Sequence, residues 1–177
     1  MIKNDINSSF KGVIFIIGFM ASGKTSIGRL LANRLNIPFI DLDTEIQIGE
    51  GKSISEIFEK QGEEYFRQKE SIYLRNIPNL TTSIVSTGGG TPIFNDNMSY
   101  INSIGMSIYL DVPFESIWKR LKNKINYRPL ASIMDLNMLN SLYDSRVNYY
   151  NKALKVFIPN EQDSLEDQIE YILKLII

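Results

Sequence analysis

A run of five residues, Val13-Ile14-Phe15-Ile16-Ile17, passes directly into Gly18-Phe19-Met20-Ala21-Ser22-Gly23-Lys24-Thr25. This junction constrains the fold more than any other part of the chain. A continuous β-branched run suits a strand buried on both faces, at the centre of a parallel sheet. Apolar residues at Ile27, Leu30, Leu31 and Leu35 then take helical spacing, so the chain passes from strand to helix through a glycine-bounded loop. The loop matches G-x-x-x-x-G-K-[ST]. Gly18 and Gly23 let successive backbone N–H groups converge on an anion, and the new helix points its positive end at the same place. Lys24 offers a point charge to β- and γ-phosphates, and Thr25 offers a hydroxyl to Mg²⁺. The alternative is a glycine-rich turn with a surface Lys and a capping Thr; the strand before and the helix after favour phosphate binding.

The rest of the chain repeats the alternation. Strands are expected at Pro38–Ile40, Ile84–Val85, Met106–Leu110 and Val156–Ile158. Helices are expected around Ile54–Phe58 and over Glu63–Arg75, Phe114–Leu121, Leu139–Ala153 and Leu165–Ile176. Strands alternating with helices predict an α/β class with a parallel sheet. The 177 residues fit one domain, without repeats or low-complexity runs. Residues 1–10 read as a flexible tail. Lys122 to Asp135 lacks periodicity, contains Arg128-Pro129, and reads as a mobile loop.

Composition narrows the chemistry. The chain has neither Cys nor His. Disulfide frameworks, His/Cys zinc sites, Cys nucleophiles and Ser-His-Asp triads are therefore excluded. Asp, Glu, Lys, Arg, hydroxyls, backbone amides and a hard metal remain. A net charge of -1 argues against a general electrostatic hold on nucleic acid or anionic membrane. The polar start lacks a signal-like apolar stretch and no run is long enough to span a bilayer, so the expected location is cytoplasmic.

Asp41-Leu42-Asp43 falls just past the second strand, at the carboxyl edge where open α/β sheets bind ligands. One carboxylate can hold the water shell of Mg²⁺, and the other can accept or orient a hydroxyl proton. Asp43 ahead of Thr44–Ile48 also suits an ordinary helix N-cap. Gly88-Gly89-Gly90 after the third strand allows close backbone approach to a ligand, or a plain turn before Pro92. Arg67 has Glu70 three residues on, a spacing that can hold its guanidinium for bidentate grip of a carboxylate; a solvated helix face is the competing reading. Arg128 on a loop can neutralise developing phosphoryl charge. Arg146 and Tyr150 share a helix face. Arg120 can stack on adenine. Phe58 and Phe66 suit the core.

In order and spacing these segments resemble the shikimate kinases, a branch of the P-loop nucleoside-monophosphate-kinase-like enzymes. The resemblance is carried by Gly18 through Ala32, Asp41-Leu42-Asp43, Phe66-Arg67 with Glu70, Gly88-Gly89-Gly90, Arg128-Pro129-Leu130, and Arg146 with Tyr150. It runs from about Ile14 through the last helix. It implies a single three-layer α/β/α kinase domain with five parallel strands in order 2-3-1-4-5. It implies MgATP as phosphoryl donor and the 3-hydroxyl of shikimate as acceptor, on the route to aromatic amino acids, in a monomer.

By similarity Gly18, Ala21, Ser22, Gly23, Lys24, Thr25, Ser26 and Arg120 would hold the nucleotide. Thr25 and Asp41 would serve the Mg²⁺. Asp43, Arg67, Arg146 and Gly88-Gly89-Gly90 would hold the acceptor, with residues 42–75 forming its helices. Asp43, Lys24 and Arg128 would be catalytic, Arg128 from a lid at 122–135. Three departures stand out: Ala21 where the family often has Gly, a stretch between Arg120 and Arg128 that differs by about a residue and leaves Lys122 as the alternative adenine contact, and Thr91-Pro92 after the triplet. The rival readings are a gluconate-type or other small-metabolite kinase, a nucleoside-monophosphate kinase, and a non-catalytic nucleotide-binding regulator. Asn123-Lys124-Ile125-Asn126 lacks the Asp of a guanine-reading motif.

Overall fold

A computed structural model of the protein describes residues 11–77, 82–122, 135–160 and 162–176. The expected tail at 1–10 lies outside the described residues. So does the expected lid at 122–135 except for its end residues Lys122 and Asp135, and Arg128 falls with it.

Five strands form one parallel sheet in the order β2-β3-β1-β4-β5: β1 Val13–Ile17, β2 Phe39–Asp41, β3 Ser83–Ser86, β4 Gly105–Leu110 and β5 Lys155–Phe157. β1 pairs with β3 on one side, Ile14 opposite Ile84, and with β4 on the other, Ile14 opposite Met106. All five residues of β1 are completely buried. Side chains alternate across a strand, so Val13, Phe15 and Ile17 join one core and Ile14 and Ile16 the other. A two-sided core of this kind makes three layers. Each such side chain contributes roughly 1.5–3 kcal/mol by leaving water.

The second core is closed by α1 Lys24–Leu35 and α7 Leu165–Ile176. The first takes α2 Leu42–Glu50, α3 Ile54–Arg75, α4 Asn97–Ile104, α5 Phe114–Lys122 and α6 Leu136–Tyr150. Sequence patterning did not reveal α4. It has eight residues, Asn-Met-Ser-Tyr-Ile-Asn-Ser-Ile, with Met98 and Ile101 as its buried apolar residues, too short for a 3.6-residue period to register. α3 opens on a capping box between Ser53 and Glu56. It is interrupted at Gly62, φ 82° and ψ 170°, between the two helices expected from the sequence. β5 sits one residue earlier than expected, and its Val156 is exposed on the sheet's edge.

Parallel strands place all their carboxyl ends on one rim. The phosphate-loop motif leaves β1 there, Asp41 ends β2, and the glycine triplet follows β3. Among the described residues no helix is long and apolar enough to cross a membrane.

Candidate active site

The loop between β1 and α1 is shaped by its backbone. Gly18 has φ +146°, and a Cβ there would stand 3.0 Å from the Leu110 carbonyl and 3.1 Å from Ser22 Oγ. Gly23 has φ +101° and occupies the N-cap of α1 with no side chain to cap it. The first N–H groups of α1 are thus left for an anion rather than a capping oxygen. Lys24 Nζ donates to the Phe19 carbonyl at 2.7 Å and is almost fully buried. The Ser22 hydroxyl is buried without a hydrogen-bond partner among the described residues. Arg120 donates to the carbonyls of Ala21 at 3.3 Å and Ser22 at 3.2 Å, so α5 braces the loop. Ser26 is exposed in the first turn of α1. Ala21 adopts φ 59°, the left-handed region that favours glycine.

Asp41 joins this loop to the next strand. Its Oδ2 accepts from Thr25 Oγ1 at 2.8 Å and its Oδ1 from Thr44 N at 3.3 Å. Asp41, rather than Asp43, is therefore the N-cap of α2. The capping alternative for Asp43 is removed: that residue lies in the first turn, half-buried, with its carboxylate turned toward the triplet. The shift by two residues arises because α2 begins at Leu42, directly off the strand.

Each glycine of the triplet lies against a different charged side chain. A Cβ on Gly88 would sit 2.3 Å from Glu70 Oε1 and 2.9 Å from Asp43 Oδ1. On Gly89 it would sit 3.6 Å from Arg146 Nη1, and also 3.3 Å from Met20 N in the phosphate loop. On Gly90 it would sit 2.3 Å from Arg67 Nη1. No side chain fits at Gly88 or Gly90 without displacing a charged group.

Arg67 is nearly buried and is held from two sides. Its Nε and Nη2 donate to Glu63 Oε1 at 3.2 and 2.9 Å, and its Nη1 donates to Glu70 Oε2. The solvated-face alternative is thereby removed. Burial works against the charge of Arg67, but the carboxylates of Glu70 and Glu63 outweigh it and hold its pKa above the usual value. Burial pushes the Glu70 carboxyl up, and Arg67 and the Thr91 hydroxyl oppose that shift.

On the far side, Arg146 lies 5.6 Å above the ring of Phe19, itself a phosphate-loop residue. Tyr150 donates to the Gly89 carbonyl at 2.6 Å, and burial lifts its phenol to about 12. Phe58 and Phe66 pack together at 4.9 Å, and Arg67 stands over Phe66.

Lys24, Thr25, Asp41, Asp43, Arg67, the triplet and Arg146 thus line one rim of the sheet. Three neighbours were not read from the sequence as part of this cluster: Phe19 beneath Arg146, Thr91 bonded to Glu70, and Asn97 bonded to the Thr91 carbonyl at 2.9 Å. Phe19 sits at a variable position of its motif. Asn97 lies on the short helix that periodicity misses. Thr91 stood out only as a departure.

Known proteins resemble this chain in sequence and fold. The family model described as shikimate kinase matches residues 20–177. A shikimate kinase of Aquifex aeolicus (strain VF5) is 38% identical over 162 residues, covering 92% of this chain and 95% of the relative. One of Clostridium botulinum (strain 657 / Type Ba4) is 40% identical over 154 residues, covering 86% and 91%. The structure of an Acinetobacter baumannii shikimate kinase in complex with shikimate superposes with a TM-score of 0.84 at 33% identity, covering 94% of this chain and 93% of that one. With a matching family model over most of its length, and relatives that it covers almost end to end, the chain belongs to the shikimate kinase family.

Proposed function

We propose that this protein transfers the γ-phosphoryl group of ATP to the 3-hydroxyl of shikimate. The observation that carries the reading is the meeting of two anion cradles at Gly89. Its Cβ position is 3.3 Å from a phosphate-loop amide and 3.6 Å from the guanidinium of Arg146. A triphosphate on one side and an organic acid on the other would bring donor and acceptor together. Phosphoryl transfer asks mainly for positioning and charge neutralisation, which such a site supplies.

On this reading the loop amides, the Ser22 and Ser26 hydroxyls and Lys24 bind the phosphates, with Arg120 on the nucleotide side. Thr25 Oγ1 and Asp41 Oδ2, 2.8 Å apart at the open end of α1, form a hard-oxygen pair suited to Mg²⁺. Few protein ligands are needed, because Mg²⁺ keeps several waters beside phosphate oxygens. When bound, Mg²⁺ would neutralise charge on the transferring phosphates. Arg67 and Arg146 grip the acceptor carboxylate beside Gly90. Asp43 orients the acceptor hydroxyl. Its oxygen forms the new bond to the γ-phosphorus, the bond to the ADP oxygen breaks, and the hydroxyl proton passes to Asp43. Arg128, from the lid, neutralises the charge that develops. The same reading makes residues 42–75 the acceptor-binding helices of a single kinase domain, acting as a cytoplasmic monomer.

A coupled assay of ADP release with shikimate, gluconate and nucleoside monophosphates tests this reading. Stimulation by shikimate is expected. Stimulation by another acceptor alone, or by none, overturns it in favour of a gluconate-type kinase, a nucleoside-monophosphate kinase or a binding regulator.

A further inference from the structure

Thr91 is held at three points. Its N–H donates to the Gly88 carbonyl at 3.2 Å, its carbonyl accepts from Asn97 Nδ2 at 2.9 Å, and its hydroxyl donates to Glu70 Oε1 at 2.5 Å. It is completely buried, at the start of a 3₁₀ turn over Thr91–Ile93 that follows the triplet directly. Asn97 is just as buried, and it is tied back to α3 by Ser71 Oγ at 3.0 Å and by Arg75 at 2.7 Å. The Thr91 side chain can hardly rotate away from Glu70.

Glu70 itself has no exposed surface. One carboxylate oxygen receives Thr91 and the other receives Arg67. The second carboxylate on Arg67, Glu63, has a half-exposed side chain and can swing into solvent. Glu70 is therefore the fixed anchor of the Arg67 guanidinium, and Thr91 is the fixed anchor of Glu70.

We propose that Thr91 is a positioning residue for acceptor recognition, its hydroxyl locking the Glu70 carboxylate that aims Arg67 across Gly90. This rests on the assignment of Arg67 to the acceptor's carboxylate. The physical basis is the behaviour of a buried carboxylate. A donated O–H bond stabilises the ionised form, and a lost one leaves an oxygen desolvated and unsatisfied. The charged and titratable groups around Glu70 are Arg67 on α3, Asp43 on α2, and Tyr150 with its neighbour Arg146 on α6. Burial and the charge of Asp43 both push the Glu70 carboxyl up, and the guanidinium of Arg67 and the hydroxyl of Thr91 oppose them.

Thr91→Val keeps the shape and removes the donor; Thr91→Ser keeps the donor. In the valine variant the KM for shikimate should rise about tenfold, while the KM for MgATP stays within about twofold. The serine variant should keep both KM values near those of wild type. The Glu70 carboxyl, followed by carbon NMR in the full chain without substrate, should titrate at higher pH in the valine variant than in wild type or serine. An unmoved Glu70 titration overturns the proposal whatever the acceptor. Equal rises in both KM values also overturn it, because they mark a general loss of structure. If wild type is inactive on shikimate while the Glu70 titration still moves with Thr91→Val, the acceptor assignment fails and the anchoring of Glu70 stands.

Discussion

The two cradles at the rim are built on opposite plans. The phosphate loop is contiguous, eight residues whose backbone turns N–H groups inward around Gly18 and Gly23. The proposed acceptor cradle draws Asp43 from α2, Arg67 and Glu70 from α3, the triplet from the end of β3 and Arg146 with Tyr150 from α6. The first is a local conformational solution, fixed as soon as its strand and helix form. The second exists only after distant elements have packed, and it relies on side chains holding side chains. Substitutions should therefore affect the two differently: the acceptor side should respond to the loss of single polar contacts, and the nucleotide side to backbone torsion.

The largest effect should come from Asp43→Asn. Loss of the proposed proton acceptor should lower kcat by about 10²–10⁴-fold, with ATP binding by calorimetry nearly unchanged. A matching loss of ATP affinity would erase the separation of the cradles. Next come alanines in the triplet. Gly90→Ala puts a methyl 2.3 Å from Arg67 Nη1 and must displace it, raising the acceptor KM by about 10–100-fold, the loss of a charge-assisted contact. Gly89→Ala meets its nearest atom at 3.3 Å and should cost only a few-fold, shared between acceptor and ATP. Equal effects at both positions would break the side-by-side arrangement. Tyr150→Phe removes the bond to the Gly89 carbonyl and should destabilise the fold by about 1–2 kcal/mol in denaturant titration. The smallest effect should come from Ala21→Gly. Relief of a left-handed alanine, less the added freedom of the unfolded chain, should stabilise the protein by up to about 1 kcal/mol and leave turnover intact. A destabilised glycine variant would show that the torsion of Ala21 carries no strain.

What could be read from the sequence follows the same division. The phosphate loop, its flanking strand and helix, and the alternating core of β1 depend on neighbours in the chain, so their residues reveal them. Asp41 and Asp43 were visible as a pair, and the resemblance divided their roles, but the residues themselves did not show which of the two caps the helix. Which of them caps α2 depends on where that helix starts, a matter of one or two residues that patterning does not resolve. Arg67 with Glu70 could be read as a helical pair; the Thr91 hydroxyl on the other carboxylate oxygen could not, because the contact spans 21 residues. Asn97 on α4 lies beyond such reading for a similar reason, since polar residues in a short helix leave no periodic trace.

Gly62, where α3 bends, has its own consequence. A Cβ there would meet nothing within 4 Å, yet φ 82° with ψ 170° is a combination almost closed to L-residues. The site is roomy but selects by handedness: alanine, the smallest possible replacement, is resisted as firmly as tryptophan. A D-alanine, whose permitted torsions are the mirror image, would settle there without complaint. Chirality, not bulk, sets the direction in which the helix bearing Arg67 leaves its first turns.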